Sequence, residues 1–144
     1  MPSLYAEIEI NAPKSVIWQT LLQKDKWLNW NTFLYDRNPA LPFEQGRIVQ
    51  LSLRRLREEI ETEFDPHITL LQPEVCLQWV STAPGFRSEH IFELQQVGRN
   101  RTKYIHRESF SGVVTHFFLS FLRRDEQQGL RRMAWELKQY VEGY

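Results

Sequence analysis

An imidazole and a carboxylate share one side of a predicted strand near the end of the chain. In the stretch KYIHRESFSG, residues 103–112, alternation puts Tyr104, His106, Glu108 and Phe110 on the same side. An imidazole beside a carboxylate suits proton transfer, metal binding or the anchoring of a ligand's polar end. Because two of its neighbours on this side are aromatic, the pair could also consist of two polar groups that line a mostly apolar cavity.

A second predicted strand places another histidine on the same surface. The stretch FRSEHIFELQ alternates with His90 and Phe92 on one side, and the turn VGRN joins it to the first strand as a hairpin. A three-residue loop would put His90 opposite His106, and a loop two residues longer would put it opposite Glu108. Both registers bring the three polar side chains together, because opposed residues of a hairpin face the same way.

Three interpretations of this cluster stay open. The groups can satisfy one another and a few waters inside a cavity, since buried polar groups that lack partners are costly. They can also hold the polar end of a mostly apolar ligand. Alternatively, His106 and Glu108 can exchange protons with a substrate. The first two interpretations are favoured, so no catalytic residue is assigned and enzymatic activity is left uncertain, with binding preferred.

Metal and cofactor chemistry have less support in the sequence. A metal site needs three or four converging ligands, and the chain shows no HxH or HExxH spacing. Cys76 is the only cysteine, which excludes an internal disulfide and a thiolate cluster. The sequence also has no glycine-rich phosphate loop. We therefore predict no metal site and no cofactor.

The charge balance argues against nucleic acid as a partner. Lysine plus arginine and aspartate plus glutamate both number 18, whereas nucleic-acid-binding proteins usually carry a basic surplus. Two basic clusters, residues 54–57 and Arg123-Arg124, are each followed directly by acidic residues. We interpret both clusters as ion pairs exposed to solvent.

The chain shows no signal for secretion or for stable membrane insertion. Its first ten residues lack a basic region followed by an apolar run, so a cytoplasmic location is expected. The most apolar stretch, VVTHFFLSFL from Val113 to Leu122, is too short to span a bilayer. It has too many apolar residues for one helical face. We predict that it closes the mouth of a cavity, or else forms a homodimer contact.

The pattern of elements predicts one α+β domain covering residues 1–144. One strand is followed by two short helices, then by further strands on short turns, and the chain closes with a long helix. In that helix Leu130, Met133, Leu137 and Val141 recur with amphipathic spacing. We predict a curved antiparallel sheet of about six to seven strands wrapped around this C-terminal helix.

Six stretches in this order resemble the START-related superfamily, which includes polyketide cyclase/dehydrase-like proteins and Bet v 1-like ligand carriers (SRPBCC proteins). They are IEINAPKSVIWQTL, WNTF, LLQPEVCLQW, HIFEL, HRESFSG and MAWELKQYVE. The resemblance covers about residues 4–142. One departure is Ala134, where many such proteins carry Asn after the Met. The resemblance implies a helix-grip fold, in which a curved sheet grips the long helix.

The resemblance also implies an internal cavity for an apolar or amphipathic small molecule, such as a lipid or a polyketide. We expect a cavity of roughly 300–1,000 Å³, the common size of small-molecule sites. A cyclase- or dehydratase-type enzyme using His106 and Glu108 is the alternative, and a partner-regulating protein with a vestigial cavity is another. The residues predicted to bind the ligand are Trp79, His90, Phe92, Tyr104, His106, Glu108 and Phe110.

Overall fold

The computed structural model describes residues 3–56, 60–113 and 115–143, except for the side chains of residues 115–122. The secondary-structure elements, besides a short 3-10 helix at Lys24–Asn29, are β1 (Ser3–Ile10), α1 (Lys14–Leu22), β2 (Leu34–Asp36), β3 (Leu51–Leu53), β4 (Thr62–Phe64), β5 (His67–Gln72), β6 (Cys76–Ala83), β7 (Phe86–Gly98), β8 (Arg101–Ser111) and α2 (Thr115–Glu142). Most of the predicted apolar segment, Val113 to Leu122, lies outside the described side chains. Val113 itself is exposed.

Two antiparallel sheets form the β layer. The larger has the strand order β1-β8-β7-β6-β5, and the smaller has the order β2-β3-β4. The predicted α+β helix-grip architecture is confirmed, including the two short helices after β1. The described residues form eight strands where about six to seven were predicted, because one predicted long strand is divided and the short strand β2 was not predicted. The residue at the division is Pro66, which has no N–H for a ladder hydrogen bond, and β4 and β5 lie on either side of it.

The hairpin of β7 and β8 is the longest pair of strands in the fold. His90 pairs with Glu108, Phe92 with His106, and Leu94 with Tyr104. The ladder has an irregularity between Gln96 and Gly98, next to the turn, where β7 carries one residue more than its partner. Asn100 closes the turn with a positive φ of 53°, a conformation that asparagine tolerates better than most residues.

Helix α2 covers the large sheet with the apolar face that the sequence predicts. It packs mainly on β1, and Leu130, Met133 and Leu137 are fully buried, while Val141 is partly buried against the same core. The described helices include none with the length and apolar character that crossing a bilayer requires.

The loop WNTF connects the small sheet to α2. Asn31 Oδ1 accepts hydrogen bonds from the backbone N–H groups of Phe33 and Leu34, each at 2.9 Å. Thr32 donates its N–H and its hydroxyl to the two carboxylate oxygens of Glu136, at 3.0 and 2.7 Å. These bonds fix Phe33, which is fully buried, between α2 and the His106 ring.

Candidate functional site

Two residues that face each other across the β7–β8 ladder begin the site. His90 pairs directly with Glu108, and His90 Nε2 lies 3.0 Å from Glu108 Oε2. Both side chains are buried, with 2% and 3% of their surface exposed. Of the two registers considered from the sequence, the one that pairs His90 with Glu108 is formed. It results from an extra residue in β7 at Val97 beside a short turn, and not from a longer loop.

His106 extends this contact behind His90. His106 Nε2 lies 2.9 Å from His90 Nδ1, so His90 lies between His106 and Glu108. A neutral imidazole has one donor and one acceptor nitrogen. When His90 donates from Nε2 to Glu108, its Nδ1 must accept a hydrogen bond from His106 Nε2. When a protonated Glu108 donates to His90 Nε2, His90 Nδ1 instead donates to His106 Nε2. The proton on Glu108 is therefore coupled to the tautomers of both histidines.

A second carboxylate enters the site from α2. Glu126 is buried, and the ligand atoms of His90, Glu108 and Glu126 all lie within 4.8 Å of one another. Arg55, in the chain that follows β3, brings its Nε to 2.7 Å from Glu126 Oε1. Among the residues that the structure describes, the site therefore contains two carboxyl groups, two imidazoles and one guanidinium.

A second arginine holds the chain that carries Arg55. Arg132 of α2 donates to the backbone carbonyls of Arg54 and Arg55, at 2.7 and 2.9 Å, and to the hydroxyl of Thr32 at 2.8 Å. Helix α2 thus contributes Glu126 to the site and also fixes the backbone position of Arg55, which pairs with it.

Burial controls the protonation of the cluster. Burial lowers the pKa of His90 to about 4, and burial and the nearby His90 hold the pKa of His106 well below its usual value. Burial raises the pKa of Glu108 to about 7, and burial together with Glu108 raises the pKa of Glu126 well above its usual value. Near neutral pH both histidines are uncharged and the two carboxyl groups compete for a proton.

The carboxyl groups of Glu108 and Glu126 lack a hydrogen-bond donor at some of their oxygens when both are ionised. Glu108 and Glu126 can share a hydrogen bond if one of them is protonated. Two ionised carboxylates cannot donate to each other. In addition, Glu108 Oε1 has no hydrogen-bond partner among the described residues. A buried carboxylate oxygen without a donor is stabilised when it binds a proton, a cation or a hydrogen-bond donor of a ligand.

A pocket of about 100 Å³ opens onto these groups where the two sheets meet α2. Its wall is apolar at Leu53, Phe64, Phe86 and Phe110. Its polar lining among the described residues consists of Arg55, Thr62, Ser81, Ser88, His90, Glu108 and Glu126. This volume is smaller than the predicted 300–1,000 Å³, because large aromatic side chains fill much of the space between sheet and helix.

An aromatic layer lies behind the pocket. Trp79 packs on Phe92 and Phe43, with ring centroids 4.8 and 5.7 Å apart, and Phe92 stacks on His106 at 4.1 Å. Tyr104 is also fully buried in this layer. These rings exclude water from the histidine pair and fix its orientation.

The structure divides the seven predicted site residues into two groups. His90, Glu108 and Phe110 line the pocket. Trp79, Phe92, Tyr104 and His106 belong to the aromatic layer, where they contact one another or His90. Their assignment as ligand-binding residues stays a prediction.

Arg55 and Glu126 are the site residues that the sequence analysis missed. Arg55 lies in the first basic cluster, and Glu126 is one of the acidic residues that follow the second. The interpretation of the two segments as separate exposed ion pairs is wrong for these residues, because Arg55 and Glu126 pair with each other. A helical signal for Glu126 was present, since it precedes Leu130 by four residues and Met133 by seven and so shares their buried face.

Comparison with known proteins identifies the fold but no close relative. No family model matches the chain, and no curated protein matches it in sequence. A protein from Arthrobacter aurescens, solved by solution NMR, superposes with a TM-score of 0.76 at 13% identity, covering 99% of this chain and 87% of that one.

Two structural neighbours have named activities or pathways. A point mutant of norcoclaurine synthase from Thalictrum flavum has a TM-score of 0.71 at 13% identity, over 98% of this chain and 94% of that chain. The di-domain ARO/CYC protein BexL from the BE-7585A biosynthetic pathway has a TM-score of 0.72 at 13% identity, over 99% of this chain. The chain spans 47% of BexL.

These likenesses show that the chain has the helix-grip fold of the START-related and Bet v 1-like (SRPBCC) proteins. Identities this low establish the fold alone, and this fold serves many activities. The function has to be inferred from the pocket.

Proposed function

We propose that the chain binds a small amphipathic molecule in the pocket between its sheets and α2. One observation carries the proposal: a buried pocket has phenylalanine rings on one side and an incompletely satisfied polar cluster on the other. The rings at positions 64, 86 and 110 would desolvate the apolar part of the ligand. Glu108, Glu126 and Arg55 would bind its polar end.

The pocket volume limits the ligand. A dry cavity of about 150 Å³ accommodates a benzene-sized molecule, and this pocket measures about 100 Å³. We therefore expect a small ligand, or the polar head of a longer lipid- or polyketide-like molecule whose tail leaves the pocket. Carriage of such a molecule would depend on burial of its head group.

A second candidate is an enzyme of the cyclase or dehydratase kind. It is favoured by the chain of contacts from His106 through His90 to Glu108, which ends at the pocket. It also agrees with the neighbours of the same fold, one solved with a transition state analogue and one described as ARO/CYC. In this candidate Glu108 and His90 would contact the substrate, and His106 would act through His90.

Filling the pocket tests the proposal without removing its polar groups. Ser88 lines the pocket, and Ser88→Leu should block it, whereas Ser109→Leu, on the opposite face of β8, is the matched control. Native mass spectrometry of freshly purified protein identifies a co-purifying molecule. A panel of small amphipathic molecules can be followed by tryptophan fluorescence, because Trp79 packs on His90.

We expect binding by the wild type and the Ser109→Leu variant, and at least a tenfold loss in the Ser88→Leu variant. Binding that survives Ser88→Leu would place the ligand elsewhere. If neither the panel nor mass spectrometry reveals a ligand, the vestigial-cavity alternative would replace the proposal.

A further inference from the structure

The cluster at the polar end of the pocket has the composition of a metal site. His90, Glu108 and Glu126 each offer one ligand atom, and these atoms lie within 4.8 Å of one another. Metal–nitrogen and metal–oxygen bonds are about 2.0–2.2 Å long, so two ligands of one ion are at most about 4.4 Å apart. Small side-chain movements would bring all three atoms into bonding distance of one ion.

We infer that His90, Glu108 and Glu126 bind a divalent transition metal ion. One imidazole and two carboxylates suit ions such as Zn²⁺, Mn²⁺ or Fe²⁺. The inference does not depend on the pocket holding an organic ligand, because the three side chains supply the site themselves.

The charge balance of the cluster supports a bound cation. Arg55 Nε forms an ion pair with Glu126 Oε1 at 2.7 Å without hydrogen-bond geometry, and Glu108 Oε1 has no hydrogen-bond partner among the described residues. A buried ionised carboxylate needs a compensating partner. A divalent ion between the two carboxylates would be such a partner. Together with the Arg55 guanidinium and the two carboxylates, it would give the cluster a net charge of one positive unit. That charge favours hydroxide or an anionic ligand group at the remaining coordination position.

The surroundings of the three residues match the outer shell of a metal site. A ligating histidine usually donates its other ring N–H to a neighbouring group. His90 turns Nε2 toward Glu108, and its Nδ1 lies 2.9 Å from His106 Nε2, which can accept that bond. Glu126 is oriented in turn by Arg55, whose ion pair with Oε1 leaves Oε2 for the ion.

An ion at this position would keep an open side. The described residues offer three ligands, and the remaining side faces the pocket of about 100 Å³. One water takes about 30 Å³ of liquid volume, so water or a small ligand group could complete the coordination sphere. Sites with three protein ligands and an open position are the pattern of reactive metal centres.

The decisive test is metal binding by the full chain after removal of metals with a chelator. Zn²⁺ is titrated by calorimetry, and Co²⁺ by visible absorption, which reports its coordination geometry. We expect one ion per chain and a raised melting temperature with each metal. Glu108→Gln and Glu126→Gln should each weaken binding by at least about 100-fold, and His106→Leu by about 10–100-fold, the range for outer-shell changes.

Glu93→Gln is the matched control, because Glu93 lies on the outer face of β7 and pairs with Arg107. It should bind metal as the wild type does. Circular dichroism and melting curves show which variants fold. The wild-type Co²⁺ spectrum and the NMR shift of the His90 ring provide evidence that needs no variant.

Two results would overturn the inference. One is the lack of stoichiometric binding by the wild type at submillimolar metal. The other is binding that persists in the folded Glu108→Gln and Glu126→Gln variants, which would place the ion at an exposed group such as His67. If metal-free protein binds an organic ligand, the proposed function is supported independently of the metal site. If the protein binds metal but no organic ligand, only the metal site is supported.

Discussion

Gly129 of α2 lies directly against the ring of Phe33, with no room for a side chain between them. A Cβ on Gly129 would overlap the Cδ1 and Cε1 atoms of Phe33. Phe33 in turn packs edge-on against His106, with ring centroids 6.4 Å apart. The close approach of α2 to the loop WNTF therefore sets the distance between the helix and the histidine pair.

Replacing this glycine should destabilise the protein although alanine is the better helix former. Gly→Ala in an open helix position gains about 1 kcal/mol. Overpacking a core costs about 1–3 kcal/mol, so we expect Gly129→Ala to lower the free energy of unfolding. Chemical denaturation measures the change, and Gln128→Ala, at the exposed neighbouring position, is the control. If Gly129→Ala is stabilising, the contact with Phe33 is looser than described.

The buried ion pair between Lys24 and Asp36 should be sensitive to loss of one partner. Lys24 Nζ lies 2.9 Å from Asp36 Oδ1, and 3% and 5% of the two side chains are exposed. Lys24→Met leaves a buried carboxylate unpaired and should cost about 3–5 kcal/mol. Removing both charges should cost less.

The matched control for that pair is the exposed contact between Arg101 and Glu9, 3.6 Å apart with about half of each side chain exposed. Its removal should change the free energy of unfolding by less than about 1 kcal/mol. A double-mutant cycle for each pair makes the comparison. If breaking either pair changed the free energy of unfolding by the same amount, burial would not be the reason that the Lys24–Asp36 pair is sensitive.

Arg132 should be hard to replace even by lysine. Its guanidinium donates to two backbone carbonyls and to Thr32, in a geometry that an ammonium group cannot reproduce. A hydrogen bond to a charged group contributes about 1.5–3 kcal/mol, so Arg132→Lys should cost at least about 1.5 kcal/mol. The exposed Arg131→Lys on the same helix should be near neutral in urea denaturation. A neutral Arg132→Lys would show that the backbone of Arg55 is held by other contacts.

Leu137 tests the packing of α2 on the sheet. The side chain is fully buried, and Leu→Ala at such positions costs about 2–5 kcal/mol. Leu28, which is 80% exposed, provides the control for the same substitution. The midpoint of denaturation should fall for Leu137→Ala and stay unchanged for Leu28→Ala.

Glu108→Gln separates binding from catalysis. Gln keeps the shape of the side chain and most of its hydrogen bonds, so the affinity for an organic ligand should fall by no more than about 1–3 kcal/mol. If Glu108 transfers protons, turnover should drop by about 10²–10⁴-fold while binding changes little. Binding is measured by tryptophan fluorescence and turnover with a panel of cyclisable polyketide-like molecules. Turnover that disappears in both Glu108→Gln and His106→Ala, with binding intact, would favour the enzyme.

Local periodicity was enough to predict the frame of the site. Alternation in β7 and β8 placed His90, His106 and Glu108 on one face, and the spacing in α2 placed Leu130 and Met133 in the core. Periodicity does not report the position of α2 along the sheet, and it is this position that brings Glu126 close to Glu108. It also does not report the pocket volume, because that volume depends on how side chains distant in sequence fill the interior.

The extra residue beside the turn limits where the β7–β8 hairpin can accept insertions. Counting back from the pair Gly98–Arg101, an unbroken ladder would join even-numbered residues of β7 to odd-numbered residues of β8, and His90 would meet Ser109. The extra residue at Val97 restores even-with-even pairing. A single insertion within β8 before His106 would send His106 and Glu108 to the outer face. A single insertion in one arm between the turn and the site is therefore compatible with the site only if a second irregularity compensates for it.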